Sequence, residues 1–171
     1  MSGPSQKLDA GRMVRIASVQ VGPAGQNLPS TLASNVRLVE AVIAEHRPDL
    51  VMMTELAMAP YFCSVEDDGY FAWAESLDGP SFQAFSEVAR RTGTHIVVPL
   101  FERTGGVYYN SAIVIDDRGE LVTGRDVSGR EVPAYRKVHL PSNRDEVTGE
   151  LRSDEPRYFA AGDVVPVFAP S

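Results

Sequence analysis

One amphipathic stripe set between two short apolar runs constrains the fold of this chain more than any other feature. From residue 30 to residue 46 the apolar side chains Leu32, Val36, Val39 and Ile43 recur at spacings of four, three and four, which places them on one face of a helix. Ser30 stands where an N-cap belongs, and Pro48 disfavours helical backbone at the residue before it, so the helix is predicted to end there. Ahead of the helix, residues 13–21, with Val14, Ile16 and their β-branched neighbours, read as a first strand with a buried face, ended by Gly22-Pro23-Ala24-Gly25. Behind it, Pro48-Asp49-Leu50-Val51-Met52-Met53-Thr54-Glu55-Leu56 reads as a buried strand bounded by turn formers. Strand, helix, strand predicts a parallel pair with a right-handed crossover, and functional groups in such units gather at the carboxyl ends of the strands. Glu55 lies at one of those ends. A carboxylate there packs badly unless something pairs with it, which makes Glu55 the first candidate for chemistry. Taken alone, it is more simply a helix-start acid or a paired structural carboxylate.

The rest of the chain continues the alternation. Residues 66–75, acidic first and then aromatic with Tyr70, Phe71 and Trp73, read as a short helix over the site whose rings serve core or lid packing. Pro80 opens a second helix through Phe82, Phe85, Val88 and Ala89 to Arg91, closed at Gly93. Residues 95–100 read as a third strand, and the turns Gly105-Gly106 and Asp117-Arg118-Gly119 lead into hairpin strands at 107–116 and 120–124. Residues 125–133 read as an exposed connection. The second candidate, Lys137, sits inside the strand-like segment Ala134-Tyr135-Arg136-Lys137-Val138-His139-Leu140-Pro141. By itself it is an edge-strand lysine of the kind that discourages sheet aggregation. Residues 141–156, with Asn143, Arg144, Asp145, Glu146, Glu150 and Asp154, read as a solvated polar loop.

Composition narrows the function classes. A chain of 171 residues with 43% hydrophobic and 23% charged side chains is long enough to bury one core, and no repeat or linker divides it. A net charge of -7 without a basic stripe argues against a general nucleic-acid binder. Residues 1–12 carry no apolar stretch, so they read as a flexible tail, neither signal peptide nor membrane anchor. Cys63, the single cysteine, rules out an internal disulfide and suits a reducing compartment, with the cytoplasm as the expectation. No Cys or His cluster has zinc spacing and no glycine-rich loop cradles phosphate. His95 and His139 read as structural by themselves, and His46 sits at a helix end where a cation is comfortable.

An ordered set of motifs runs through the chain: Gln20 at the end of the first strand, Thr54-Glu55-Leu56, residues 97–102, Tyr109-Asn110-Ser111, Tyr135 to Pro141, and Phe159-Ala160-Ala161-Gly162-Asp163. In that order they resemble the nitrilase superfamily of carbon-nitrogen hydrolases. Pro60-Tyr61-Phe62-Cys63 and Glu155-Pro156-Arg157-Tyr158-Phe159 look most like its N-carbamoylputrescine amidases and related N-carbamoyl hydrolases. The resemblance implies an α/β fold, the α-β-β-α sandwich, of which residues 13–171 would be an incomplete domain cut after about its first half. It implies a Cys nucleophile, a Glu base and a Lys, with no metal or organic cofactor. Glu55 would take the thiol proton and later activate water, Lys137 would hold the oxyanion, and Glu155 would be the second carboxylate. Tyr61, Phe62 and His139 become substrate-pocket candidates. The resemblance further implies a small-molecule N-carbamoyl amine or amide substrate, no nucleic-acid or membrane partner, and a homo-oligomer at full length. The nucleophile is expected downstream of the segment that ends at Phe168, and Cys63 matches a noncatalytic position. The alternatives are an inactive fragment serving as an interaction or remnant domain, and an enzyme that uses Cys63.

Overall fold

The computed structural model describes residues 13–22 and 24–169; the predicted tail, residues 1–12, and Pro23 lie outside the described residues. Strand β1 (Ile16–Val19), helix α1 (Leu28–His46) and strand β2 (Leu50–Met53) follow in the predicted order, and the two strands pair in parallel. The helix begins earlier than its apolar pattern suggests. Asn27 is the N-cap: its side chain accepts from the Ser30 N–H at 3.0 Å, while Ser30 Oγ accepts from the Asn27 N–H at 3.3 Å. Ser30 therefore holds the third position of a capping box, and Pro29 sits in the first turn, where its missing N–H costs nothing. The buried stripe is also rotated. Thr31, Asn35, Val39 and Ile43 face inward, with Leu32 and Val36 only partly covered. Asn35 can be buried because its Nδ2 donates to the Ala57 carbonyl at 2.7 Å, tying the helix to the turn after β2.

The first strand corrects a second expectation. Val14 and Ile16 are 61% and 58% exposed, and Val19 is the buried residue of the run. Alternation along the strand sends Ala17 and Val19 toward the helices and Ile16 to the opposite face, and β1 is one edge of the sheet.

A 3-10 helix (Asp68–Trp73) precedes α2 (Pro80–Thr92), which ends at Gly93 with φ 66, a left-handed cap that glycine adopts without strain. Strands β3 (His95–Thr104) and β4 (Val107–Ile115) form a long antiparallel hairpin in register from Ile96↔Ile115 to Thr104↔Val107. The predicted strand at 120–124 is reduced to a bridge between Leu121 and Ile115, because Asp116 folds the intervening turn back on itself by accepting from the Arg118 and Glu120 N–H groups. The predicted connection 125–133 contains a small hairpin of β5 (Gly124–Arg125) and β6 (Glu131–Val132). Strand β7 (Tyr135–Arg136) has two residues, so Lys137 lies just past a strand rather than inside one. The predicted polar loop is a second hairpin, β8 (Ser142–Arg144) and β9 (Leu151–Asp154), whose turn is closed by Asp145 accepting from the Val147 and Thr148 N–H groups. A one-turn helix α3 (Glu155–Tyr158) follows.

The main sheet has the order β1-β2-β3-β4-β7. Its helix-facing side buries Val51, Met53, Ile96, Val98, Leu100 and Ile113 with Val39, Ile43, Phe85 and Val88 of the helices. A second, aromatic cluster gathers Leu56, Phe62, Cys63, Phe101, Tyr158 and Phe159, with Tyr70, Phe71 and Trp73 packed against it. The rings of the 3-10 helix thus pack, partly buried, against this aromatic core.

Candidate active site

Glu55 opens the turn at residues 55–58 that follows β2. Leu56 beside it takes φ 52, a left-handed conformation that a leucine resists, and is held there by burial in the aromatic cluster. The turn is closed by the Ala59 N–H donating to the Leu56 carbonyl at 2.9 Å and is anchored to α1 through Asn35. On the far side of the sheet, Lys137 is fixed by its own backbone. Its N–H donates to the Asn110 carbonyl at 2.8 Å, and its carbonyl accepts from the Gly162 N–H at 2.9 Å. Glu155 opens α3, its N–H donating to the Pro141 carbonyl at 3.0 Å.

These three side chains, scattered over a hundred positions, meet at one point. Lys137 Nζ lies 2.7 Å from Glu55 Oε1 and 2.8 Å from Glu155 Oε1. Asn110 Nδ2 donates to the same Glu55 oxygen at 2.6 Å. The acid and the amine do not come from neighbouring strands, since β3 and β4 stand between β2 and β7. The turn after β2 bridges that gap, and Asn110 on β4 is the intermediate support.

The two carboxylates occupy different environments. The Glu55 side chain is 49% exposed, whereas that of Glu155 is 1% exposed. Burial pushes the Glu155 carboxyl above its ordinary value against the pull of Lys137. Glu155 Oε2 is buried and has no hydrogen-bond partner among the described residues. Burial also disfavours the charge on Lys137, yet its hydrogen bonds to Glu155 and Glu55 outweigh that and hold the ammonium above the usual lysine range. Chemically, this is a cation locked in its charged form beside an accessible carboxylate, with a second carboxylate beneath it.

Glu55, Lys137 and Asn110 open on a cavity of about 290 Å³ whose other walls include Met52, Val97, Pro99, Ala112 and Tyr135. None of Tyr61, Phe62 and His139 lines it. Phe62 is 1% exposed, its ring stacked on Tyr70 at a centroid distance of 5.0 Å inside the aromatic cluster. Tyr61 is half exposed with its hydroxyl 2.9 Å from Ser153 Oγ, and His139 is exposed. Cys63 is fully buried beside Phe62; burial, reinforced by Glu155 and Glu55, pushes its thiol up to about 12. Asn110 stands in the sequence motif Tyr109-Asn110-Ser111 without an assigned role, and Ser153 stands in no motif. A polar residue on an apolar strand is the further signal that marks Asn110. Among the described residues, no group of three or more His, Cys, Asp or Glu side chains is arranged to hold a metal ion, and no helix is long and apolar enough to cross a membrane.

Comparison with known proteins covers nearly the whole described chain. The carbon-nitrogen hydrolase family model matches residues 15–171. A curated N-carbamoylputrescine amidase from Solanum lycopersicum is 26% identical over 153 residues, covering 89% of this chain and 45% of that protein. A citrullinase from Francisella tularensis is 24% identical over 151 residues, covering 86% of this chain and 47% of that protein. The crystal structure of a carbon-nitrogen hydrolase from Helicobacter pylori G27 superposes with a TM-score of 0.68 at 26% identity, over 88% of this chain and 45% of that one. The chain thus spans slightly less than half the length of these relatives, and its mixed sheet with helices packed on it is the nitrilase-type architecture over that span.

Proposed function

The chain belongs to the carbon-nitrogen hydrolase family, and from that premise we propose that it supplies the base and the oxyanion-binding cation of a Cys-Glu-Lys hydrolase that cleaves an N-carbamoyl amine or amide. The observation that carries this reading is the Lys137 ammonium, 2.7 Å from Glu55 and 2.8 Å from Glu155 on the lip of an apolar cavity. Glu55, accessible and hydrogen-bonded by Asn110, takes the proton of an attacking thiol and returns it to the departing amine or ammonia. It then removes a proton from the water that hydrolyses the thioester. Lys137, permanently charged, stabilises the negative oxygen that forms when the carbonyl carbon becomes tetrahedral. Glu155 keeps that ammonium charged and in place. Cys63 is not the thiol in this reading, because its burial and raised pKa deny it both access and thiolate character; the sulfur comes from outside residues 1–171. The names of the amidase and the citrullinase suggest ureido compounds as the first substrates to try.

The test measures ammonia release from N-carbamoylputrescine and citrulline by the chain alone and by the full product of its gene. Turnover is expected only where a second cysteine is present. Glu55→Gln and Lys137→Met are each expected to lower kcat by about a hundredfold or more, whereas Cys63→Ala leaves it within a few-fold. Activity that survives both site substitutions, or that vanishes with Cys63 in a folded protein, rejects the assignment.

A further inference from the structure

An ion pair with a fully buried carboxylate, Glu102, and a partly buried guanidinium, Arg136, lies on the opposite face of the sheet from the cavity. Glu102 Oε2 accepts from Arg136 Nε at 2.9 Å and from Ser111 Oγ at 2.5 Å, and its Oε1 accepts from Arg136 Nη2. The guanidinium also lies over the Tyr109 ring, 4.1 Å from its centroid. Leu100 and Ile113, which share this face, are apolar and buried.

Stability alone does not account for such a pair. Replacing a buried ion pair by apolar side chains of similar volume is commonly neutral or stabilising, whereas fixing one register against others is the best-attested use of buried charge. Strand β7 needs that help. Its ladder with β4 has two residue pairs, Ser111↔Arg136 and Ala112↔Tyr135, extended by the Lys137 N–H that donates to the Asn110 carbonyl. Side chains alternate along it, so Tyr135 and Lys137 reach the cavity while Arg136 points beneath the sheet. A one-residue slip would exchange the two faces, carrying Lys137 under the sheet. Glu102, on β3 one strand beyond β4, accepts Arg136 in the observed register and would face a different side chain in the slipped one. The space on the other flank is equally exacting: a Cβ on Gly162 would fall 2.2 Å from the Arg136 carbonyl oxygen.

We propose that Glu102 and Arg136, closed by Ser111, form a register pin for β7 and are positioning residues that hold the Lys137 ammonium between Glu55 and Glu155. The proposal deepens the hydrolase reading, which gives Lys137 its importance, but its test reads where the ammonium sits and not turnover. The two therefore fail separately.

Lys7 and Lys137 are the two lysines of the sequence, which makes the measurement simple. The full chain is acetylated briefly with acetic anhydride at pH 8, and mass spectrometry of its peptides gives the ratio of modification at Lys137 to that at Lys7. Glu102→Gln and the apolar pair Glu102→Leu/Arg136→Met are compared with wild type, each checked for a cooperative thermal transition. The ratio is expected to rise about tenfold or more in the folded apolar pair, since each unit of lost pKa elevation gives about ten times more free amine. Arg125→Gln, which breaks the exposed contact with Glu131, is expected to leave the ratio at the wild-type value. Retained protection of Lys137 in the folded apolar pair overturns the proposal, whatever Glu102→Gln does. If neither variant folds, the pair serves the fold itself and the positioning role is likewise overturned.

Discussion

Cys63 and Glu155 show how one region of low solvation acts on two ionisable groups with opposite consequences for chemistry. The Cys63 thiol, buried and pushed up to about 12, is poor in thiolate at neutral pH. Its reaction with a disulfide reagent at pH 8 is therefore expected to be at least about a hundredfold slower in the native chain than in urea-unfolded chain, a difference that absorbance of the released thiol reads directly. Equal rates would place the sulfur at the surface. Glu155 is perturbed in the same upward sense, and the sign of its effect on stability follows. Its folded-state pKa lies above the ordinary value of 4.5, so the folded protein holds that proton more tightly than the unfolded one. The resulting stabilisation is present in full below pH 4.5 and is lost as pH rises through the folded-state value. In Glu155→Gln that loss disappears, so the urea midpoint should fall less between pH 4.5 and pH 7 than it does in wild type. A steeper fall in the variant would contradict the sign. Asp126 and Asp145 work in the other direction. Held near 2 first by Ser128 and by Arg152 respectively, they add stability above the ordinary 3.8 and lose it in stronger acid, outside the Glu155 window.

At the scale of elements, both long helices depend on caps that are built differently. Helix α1 has a local capping box, Asn27 with Ser30. Helix α2 has Gly79 at its N-cap, which offers no side chain, and Glu75 substitutes from outside the helix, accepting from Ser81 N–H at 2.8 Å and Ser81 Oγ at 2.6 Å. Because Glu75 and Ser81 are buried, Glu75→Ala strands a donor away from water and is expected to cost about 1–3 kcal/mol. Asn27→Ala at the exposed cap should cost about 0.5–2 kcal/mol, and urea titrations of the two variants measure both. A Glu75 cost below the Asn27 cost would mean that water reaches the α2 terminus. Neither cap was readable, since Pro29 masked the first and the second joins residues on different elements. What was legible rested on periodicity and on misplaced charge. The apolar spacing from Leu32 to Ile43 exceeds anything a strand can use, and Glu55 and Lys137 stand out because each interrupts an apolar setting. The support of those two side chains was illegible because it comes from tertiary pairing: Asn110 meets Glu55 across 55 positions and Arg136 meets Glu102 across 34. Phe62, an aromatic beside a candidate acid, was drawn toward the pocket by proximity in sequence, but three-dimensional packing places it among Tyr70, Phe101 and Tyr158.

The whole molecule is asymmetric about its sheet. One face is sealed by α1 and α2, and the register of the strands puts Ile16, Met52, Val97 and Ala112 together on the other. Ile16 is 58% and Met52 is 40% exposed, and Val97 and Ala112 line the cavity beside Lys137. An apolar sheet face next to an edge strand is a recognised route to association between copies of a chain, and charge placed on such a surface suppresses it. The described chain is therefore expected to bind the hydrophobic dye ANS in its native state and to scatter light increasingly with concentration. Met52→Lys should lower both signals, because it puts a cation at the centre of the face without touching the core on the helix side. Leu38→Lys, at a partly exposed position on the outer side of α1, should lower neither. If the two substitutions act alike, association runs over the helices, and the open sheet face is not what makes copies of this chain adhere.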